Sequence, residues 1–279
     1  METTIKLLAI DLDGTTLGID GELTPVVRNA LQFAIKECGI VVVPCTGRVF
    51  GSMPQEMLEI PGIRYAITSN GAAVDRLPEQ EAIYRNLLGQ DTVLRVLKLL
   101  EQYDVMTEIF VAGKAYAERR FLSCLTDYGT AAQYVPYVLS TRTAVDDVHA
   151  VVKTAEAGIE NINVKTGDSV LLERLWRELA KEKTISLTSS YPLNIEISAA
   201  DIGKAQAVEW LCQQLNFTMA QVMAIGDSMN DITLLQRAGL AIAMENGIDA
   251  VKQAADFITC SNAQDGVAYA VMRFLAGAQ

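Results

Sequence analysis

Apolar runs broken by polar punctuation set out the organisation of this chain. Residues 5–10, Ile-Lys-Leu-Leu-Ala-Ile, read as a buried strand running into Asp11. Thr24-Pro25 reads as an N-cap followed by proline at the first helical position, where its missing N–H costs nothing. Val26, Val27, Ala30, Leu31, Ala34 and Ile35 then recur at helical spacing, and Cys38-Gly39 supplies a stop. Ile40 to Val43 is a second apolar strand ending at Pro44, and Tyr65 to Thr68 is a third ending at Ser69-Asn70-Gly71. Strands apolar on both faces and alternating with helices predict a parallel sheet covered by helices.

The middle of the chain alternates more. Residues 91–103 carry Val93, Leu94, Val96, Leu97 and Leu100 on one helical face. Residues 105–111 and 115–117 read as a hairpin turning at Gly113, residues 149–158 and 170–181 as helices, and residues 162–165, 184–188 and 193–197 as strands. After residue 198 the first pattern returns. A helix is expected at 204–215, a buried strand at 222–225 ending in Gly226-Asp227, a helix at 231–238, and short strands at 240–243 and 257–258. The expected fold class is therefore α/β. A doubly wound, Rossmann-like parallel-sheet core at 1–83 and 198–279 carries an inserted α+β domain at 84–197.

Composition narrows the function. The 279 residues suit about two domains, and half are hydrophobic, ample for packed cores. Thirty-four acidic against 23 basic residues give a net charge of −11, a poor match to nucleic acid or to an anionic membrane surface. A small anionic substrate stays open, because a metal ion or a few placed cations offset the charge locally. The start of the chain has no basic region before an apolar run, and no apolar stretch is long enough to span a membrane, so a cytoplasmic protein is expected. The cysteines Cys38, Cys45, Cys124, Cys212 and Cys260 are odd in number, with no pair in a C-x-x-C, and read as reduced and buried. The one histidine, His149, reads as an exposed helix residue, which leaves no histidine cluster for a metal. Trp176 and Trp210 fall on apolar helix faces and read as core.

Open parallel sheets place ligands at the carboxyl ends of their strands. Three polar clusters sit at such ends: Asp11-Leu12-Asp13-Gly14-Thr15, Thr46-Gly47-Arg48, and Gly226-Asp227-Ser228-Met229-Asn230-Asp231. If the fold brings them together, Asp11, Asp13, Asp227 and Asp231 share one rim, and their mutual repulsion calls for a cation. Oxygen donors without histidine or cysteine favour Mg²⁺, which suits phosphoryl transfer. One carboxylate then serves as nucleophile, and another two residues on handles the proton. Thr46 and Lys204 are candidates for phosphate oxygens. Taken singly, each cluster reads equally as a turn or helix cap, Lys204 as a solvated side chain and Asn70-Gly71 as a tight turn. Their joint placement after buried strands is what points to a site.

Together these segments resemble the haloacid dehalogenase superfamily phosphatases, in particular the Cof-type, subclass IIB, sugar-phosphatase-like members. The resemblance rests on Ala9-Ile10-Asp11-Leu12-Asp13-Gly14-Thr15, on Thr46-Gly47-Arg48, on Lys204, on Gly226 to Asp231, and on Ser69-Asn70-Gly71-Ala72. It implies that Asp11 is the nucleophile and Asp13 the general acid and base. It assigns Mg²⁺ to Asp11, Asp13 (through its backbone carbonyl), Asp227 and Asp231. It assigns phosphate to Asp11, Leu12, Asp13, Thr46, Gly47, Lys204 and Asn230, and substrate to Arg48, Asn70 and Gly71. The insert becomes a type II cap, which closes over the site. Ala205 follows Lys204 where the family commonly has glycine, and Met244-Glu245-Asn246-Gly247 stands where it often has Met-Gly-Asn-Ala. Asn262 and Asp265-Gly266-Val267 match the family's closing segment, usually structural. The implied activity is Mg²⁺-dependent hydrolysis of a small phosphorylated metabolite through an aspartyl phosphate. A hexose-phosphate phosphomutase and a non-catalytic phosphometabolite-binding protein are the alternatives.

Overall fold

The computed structural model describes residues 4–156 and 158–276. Its first strands are β1 (Leu7–Ile10), β2 (Val41–Pro44), β3 (Tyr65–Thr68), β4 (Ala73–Arg76) and β5 (Glu81–Arg85). The middle of the chain contributes β6 (Met106–Val111), β7 (Lys114–Glu118), β8 (Arg142–Val145), β9 (Asn161–Lys165), β10 (Ile185–Thr188) and β11 (Asn194–Ala199). The last are β12 (Val222–Gly226), β13 (Leu240–Ala243) and β14 (Phe257–Ile258). The chain forms two compact units, one of residues 1–47, 53–84 and 203–279, the other of residues 48–52 and 85–202.

In the first unit a five-stranded sheet runs β14-β13-β12-β1-β2. Every pairing in it is parallel, with Leu7 opposite both Val222 and Val41. The continuous apolar strands of the sequence are thus the parallel ladder, buried at Leu7, Leu8, Ala9, Ile10, Val222, Met223 and Ala224. The helix Pro25–Lys36 starts as expected, with the Thr24 hydroxyl accepting from the Val27 N–H at 3.2 Å. The helix Lys204–Gln214 buries Ala205, Val208, Leu211 and Cys212 against the sheet. The third strand departs from expectation. β3 meets the parallel sheet by one bridge, Cys45 to Ile67, and pairs mainly with β4 in an antiparallel β3-β4-β5 sheet. The turn at Asn70-Gly71 makes that hairpin.

The second unit is a six-stranded sheet, β10-β11-β9-β6-β7-β8, antiparallel except for β7 with β8. One face is apolar. Ile109, Ile162, Val164, Ile195 and Ile197 pack on Val93, Val96, Leu97, Val152, Leu175 and Leu179. The helices behind them are Gln90–Leu100, Val148–Thr154 and Ser169–Leu179. Alternation sends Glu108, Asn163, Asn194 and Glu196 to the other face, where they are buried. There Glu108 accepts from Arg142 at 2.8 and 3.2 Å and from Asn163 at 2.7 Å, with Lys165 Nζ at 3.5 Å.

Residues 48–52, expected in the core, belong to this second unit. Val49 clusters with Phe110 and Ala115, the Gly51 N–H donates to the Gly113 carbonyl at 2.9 Å, and the Arg48 guanidinium lies 4.2 Å from the Tyr137 ring centroid. His149 is only part exposed, 3.0 Å from both Glu101 and Asp147. All five cysteines are free, but only Cys45 and Cys212 are buried. Ala157, within the helix expected at 149–158, lies outside the described residues, and that helix ends at Thr154. Among the described residues no helix is long and apolar enough to cross a membrane.

Candidate active site

Because β1, β2 and β12 are parallel neighbours, their carboxyl ends share one edge, and Asp11, Thr46 and Asp227 follow them there. The Asp11 N–H continues the ladder to the Ile225 carbonyl at 3.1 Å, and the Thr46 N–H donates to the Ile67 carbonyl at 2.9 Å. Asp11 is 5% and Lys204 1% exposed, deep burial for charged groups. Lys204 opens its helix and drives Nζ between two carboxylates, 2.6 Å from Asp11 Oδ1 and 2.7 Å from Asp231 Oδ1. The sequence allowed a solvated Lys204; the structure buries it.

Asp231 commits both oxygens to the protein. Oδ1 takes Lys204, and Oδ2 accepts from the Asp227 and Ser228 N–H groups at 3.0 and 3.1 Å. Asp227 is aimed by two hydroxyls, Thr15 Oγ1 at 2.7 Å and Ser228 Oγ at 2.9 Å. Gly14 is required beside it. Its φ is +77°, and a Cβ would stand 2.5 Å from Asp227 Oδ2. Carboxylate oxygens of Asp11, Asp227 and Asp231 lie within 4.8 Å of one another. The Asp13 side chain is outside that group, so four converging carboxylates reduce to three.

Burial pushes Asp11 well above the usual carboxylate range. Lys204 opposes this, and Asp231, Asp227 and Asp13 add to it. Burial and then Asp231 raise Asp227 to about 6, against the pull of Thr15, Ser228 and Lys204. For Lys204 burial works against its charge, but Asp11 and Asp231 more than offset that, and its pKa is raised. Lys204 therefore supplies one positive charge to three buried carboxylates. Oxygen-only donors with negative charge in excess fit a hard divalent cation, held by Asp11 and Asp227 with Asp231 behind.

The remaining candidates divide. Asn70 is buried at 2% exposure, its N–H donating to the Thr46 carbonyl at 3.0 Å and its Oδ1 accepting from Asn230 Nδ2 at 3.0 Å. Gly71 packs on Gly203, where a Cβ would lie 2.3 Å from the carbonyl oxygen. Arg48 sits in the second unit, its Nη1 donating to the Ser52 carbonyl at 3.2 Å. Thr15 and Ser228, which aim Asp227, carry no signal in the sequence beyond that of turn and cap residues. Between Met244 and Gly247 the departure from the family pattern at Glu245 is exposed, and the working residue is Asn246. Asn246 Nδ2 donates to the Gly14 carbonyl at 2.8 Å, while its Oδ1 accepts from the Asn262 N–H at 3.0 Å. Asn262 Nδ2 in turn donates to the Leu17 carbonyl at 2.9 Å, so the two asparagines brace the loop after β1.

Residues 8–271 match the family model of haloacid dehalogenase-like hydrolases. The chain is 33% identical over 269 residues to the Bacillus subtilis protein YxeH, covering 95% of this chain and 97% of that one. It is 30% identical over 271 residues to the 5-amino-6-(5-phospho-D-ribitylamino)uracil phosphatase YcsE of Bacillus subtilis, covering 97% and 96%. The solved structure of a haloacid dehalogenase-like hydrolase from B. subtilis superposes with a TM-score of 0.84 at 29% identity, covering 97% of this chain and all of the other. The parallel core, the separate sheet of the second unit and these matches agree: the chain belongs to the haloacid dehalogenase-like hydrolases, as a Cof-type phosphatase.

Proposed function

We propose that this phosphatase hydrolyses small phosphomonoesters, with Mg²⁺, through an aspartyl phosphate on Asp11. One observation carries the reading: Asp11, at the end of β1, is held by a buried lysine from one distant segment and flanked by Asp227 from another. Lys204 opposes the burial that raises Asp11 and so favours the ionised form that a nucleophile requires. A carboxylate oxygen of Asp11 attacks phosphorus while Asp13 gives a proton to the departing ester oxygen, and the P–O bond to the alcohol breaks. Asp13, now a base, takes a proton from water, which cleaves the aspartyl phosphate and frees inorganic phosphate. The backbone of Leu12, Asp13 and Gly47, with the side chains of Thr46, Lys204 and Asn230, holds the phosphoryl oxygens. Asp11, Asp227 and the Asp13 carbonyl would hold Mg²⁺, which would supply positive charge to the transferring group.

For the substrate we infer a phosphomonoester on a sugar or polyol chain, the kind of molecule that the name of the relative YcsE describes. Choice of leaving group is assigned to the second unit and to Arg48, next in the chain to Gly47. The cytoplasm, where such metabolites occur, is the proposed compartment. The test is phosphate release from a panel of phosphomonoesters with Mg²⁺, with EDTA, and with Asp11→Asn. Metal-dependent release abolished in the variant is the expected result. Release that survives Asp11→Asn in a pure preparation overturns the nucleophile, and conversion of a hexose phosphate into its isomer overturns hydrolysis.

A further inference from the structure

Between β3 and β4 the chain forms a hook of three successive left-handed residues, Ser69 at φ +50°, Asn70 at +56° and Gly71 at +92°. Two of them are not glycine, and both are buried. Such a backbone persists where its surroundings over-determine it. Here three contacts do so. The Asn70 N–H holds the Thr46 carbonyl, Gly71 closes on the Gly203 carbonyl beside Lys204, and the Asn70 carboxamide oxygen accepts from Asn230 Nδ2 at 3.0 Å. The hook thus touches each of the three segments that carry Thr46, Lys204 and Asn230.

Asn230 Oδ1, by contrast, is buried with no hydrogen-bond partner. Buried polar atoms are normally paired, and an exception calls for an explanation. A carboxamide has a donor pole and an acceptor pole. Asn70 Oδ1 takes one of the two N–H groups of Asn230, which leaves the second to donate to a phosphoryl oxygen, while Asn230 Oδ1 is open to a donor.

We propose that Asn70 is a positioning residue: it fixes the Asn230 carboxamide beside the transferring phosphoryl group and does not read the leaving group. The inference rests on the phosphatase reading above. It replaces the substrate contact that family resemblance implied for Asn70, and the two roles differ measurably. A residue acting through Asn230 affects phosphoryl transfer from every ester alike, whereas a leaving-group contact affects esters unequally.

The test uses Asn70→Gly, which deletes the carboxamide and keeps the left-handed backbone. With p-nitrophenyl phosphate and glucose 6-phosphate, kcat and KM are measured for wild type, Asn70→Gly, Asn230→Ala and the double variant. Asn70→Gly should lower kcat roughly tenfold, by the same factor for both esters to within about threefold. The double variant should be no slower than Asn230→Ala alone. A KM effect that differs about tenfold or more between the esters, or losses that multiply in the double variant, overturns the proposal. Should Asn70→Gly fail to fold by its melting temperature, Asn70→Ser shortens the side chain out of reach of Asn230 and carries the same comparison. Asp11→Asn separates the two failures. Release surviving that variant sinks the phosphatase reading, while multiplying losses with release abolished sink this inference alone.

Discussion

The first unit buries three carboxylates around Lys204, whereas the second buries Glu108 against Arg142 and Lys165. Both clusters are buried, and their carboxylates respond in opposite directions. Burial pushes Glu108 up, but Arg142, Lys165 and Asn163 more than reverse it, to about 2. Arg142 is the stronger partner. At Lys165 burial outweighs the pull of Glu108, and that pKa falls. In the first unit burial wins, and Asp11 and Asp227 rise. A carboxylate outnumbered by its cations makes a structural element. Excess negative charge, kept at a strand edge against its own repulsion, fits a cation, as the proposed reaction requires.

Four outcomes would break or sharpen that contrast. The largest is chemical: Asp11→Asn should cut turnover roughly 10⁴-fold while the protein still melts cooperatively, because it removes the proposed nucleophile and leaves the fold. Next, Lys204→Met takes away the cation that touches Asp11 and Asp231. Loss of one partner from a buried ion cluster costs about 3–5 kcal/mol, read as a lower denaturant midpoint together with lost turnover. An unchanged midpoint would show that Lys204 is dispensable to the fold.

Glu108 carries its own pH signature. Its folded pKa lies below its unfolded value, so its stabilisation is complete above about pH 4.5 and is lost as pH falls toward about 2. The size is about 3 kcal/mol, and Glu108→Gln should flatten that part of the stability–pH curve. A curve of unchanged slope in the variant would remove Glu108 as its source. The smallest effect expected is Mg²⁺ itself, which at a hundredfold excess over its Kd stabilises by about 2.7 kcal/mol. The melting temperature should rise with Mg²⁺, fall back with EDTA, and cease to respond in Asp227→Asn.

Much of the fold was legible because its signals are local. Pro44 and Asp11 end apolar runs, and Thr24 caps its helix through a bond only three residues long. What escaped was weakly patterned. β5 and β8 are half-exposed, with little apolar alternation to announce them. The helix Gly266–Leu275 exposes Tyr269 and Met272 opposite its buried face, which blurs its apolar pattern. In the site, Asp11, Lys204 and Asp227 stood out because charged residues at apolar strand ends and a helix start are unusual. Asn246 did not, since it acts by side-chain bonds to the distant backbones of Gly14 and Asn262 and leaves no period in the sequence.

By itself the sequence determined most of the elements and their order, the family and the net excess of acid, all properties of neighbouring residues or of composition. Tertiary structure alone decided which carboxylate meets the lysine, that Asp231 is consumed by the protein, that Asp13 stays apart, and that Asn70 turns toward Asn230. It also assigned residues 48–52 to the second unit. The reason is range: hydrogen bonds and ion pairs act over about 3 Å. Whether residues far apart in the chain come that close is set by how β12 registers on β1, not by either segment alone.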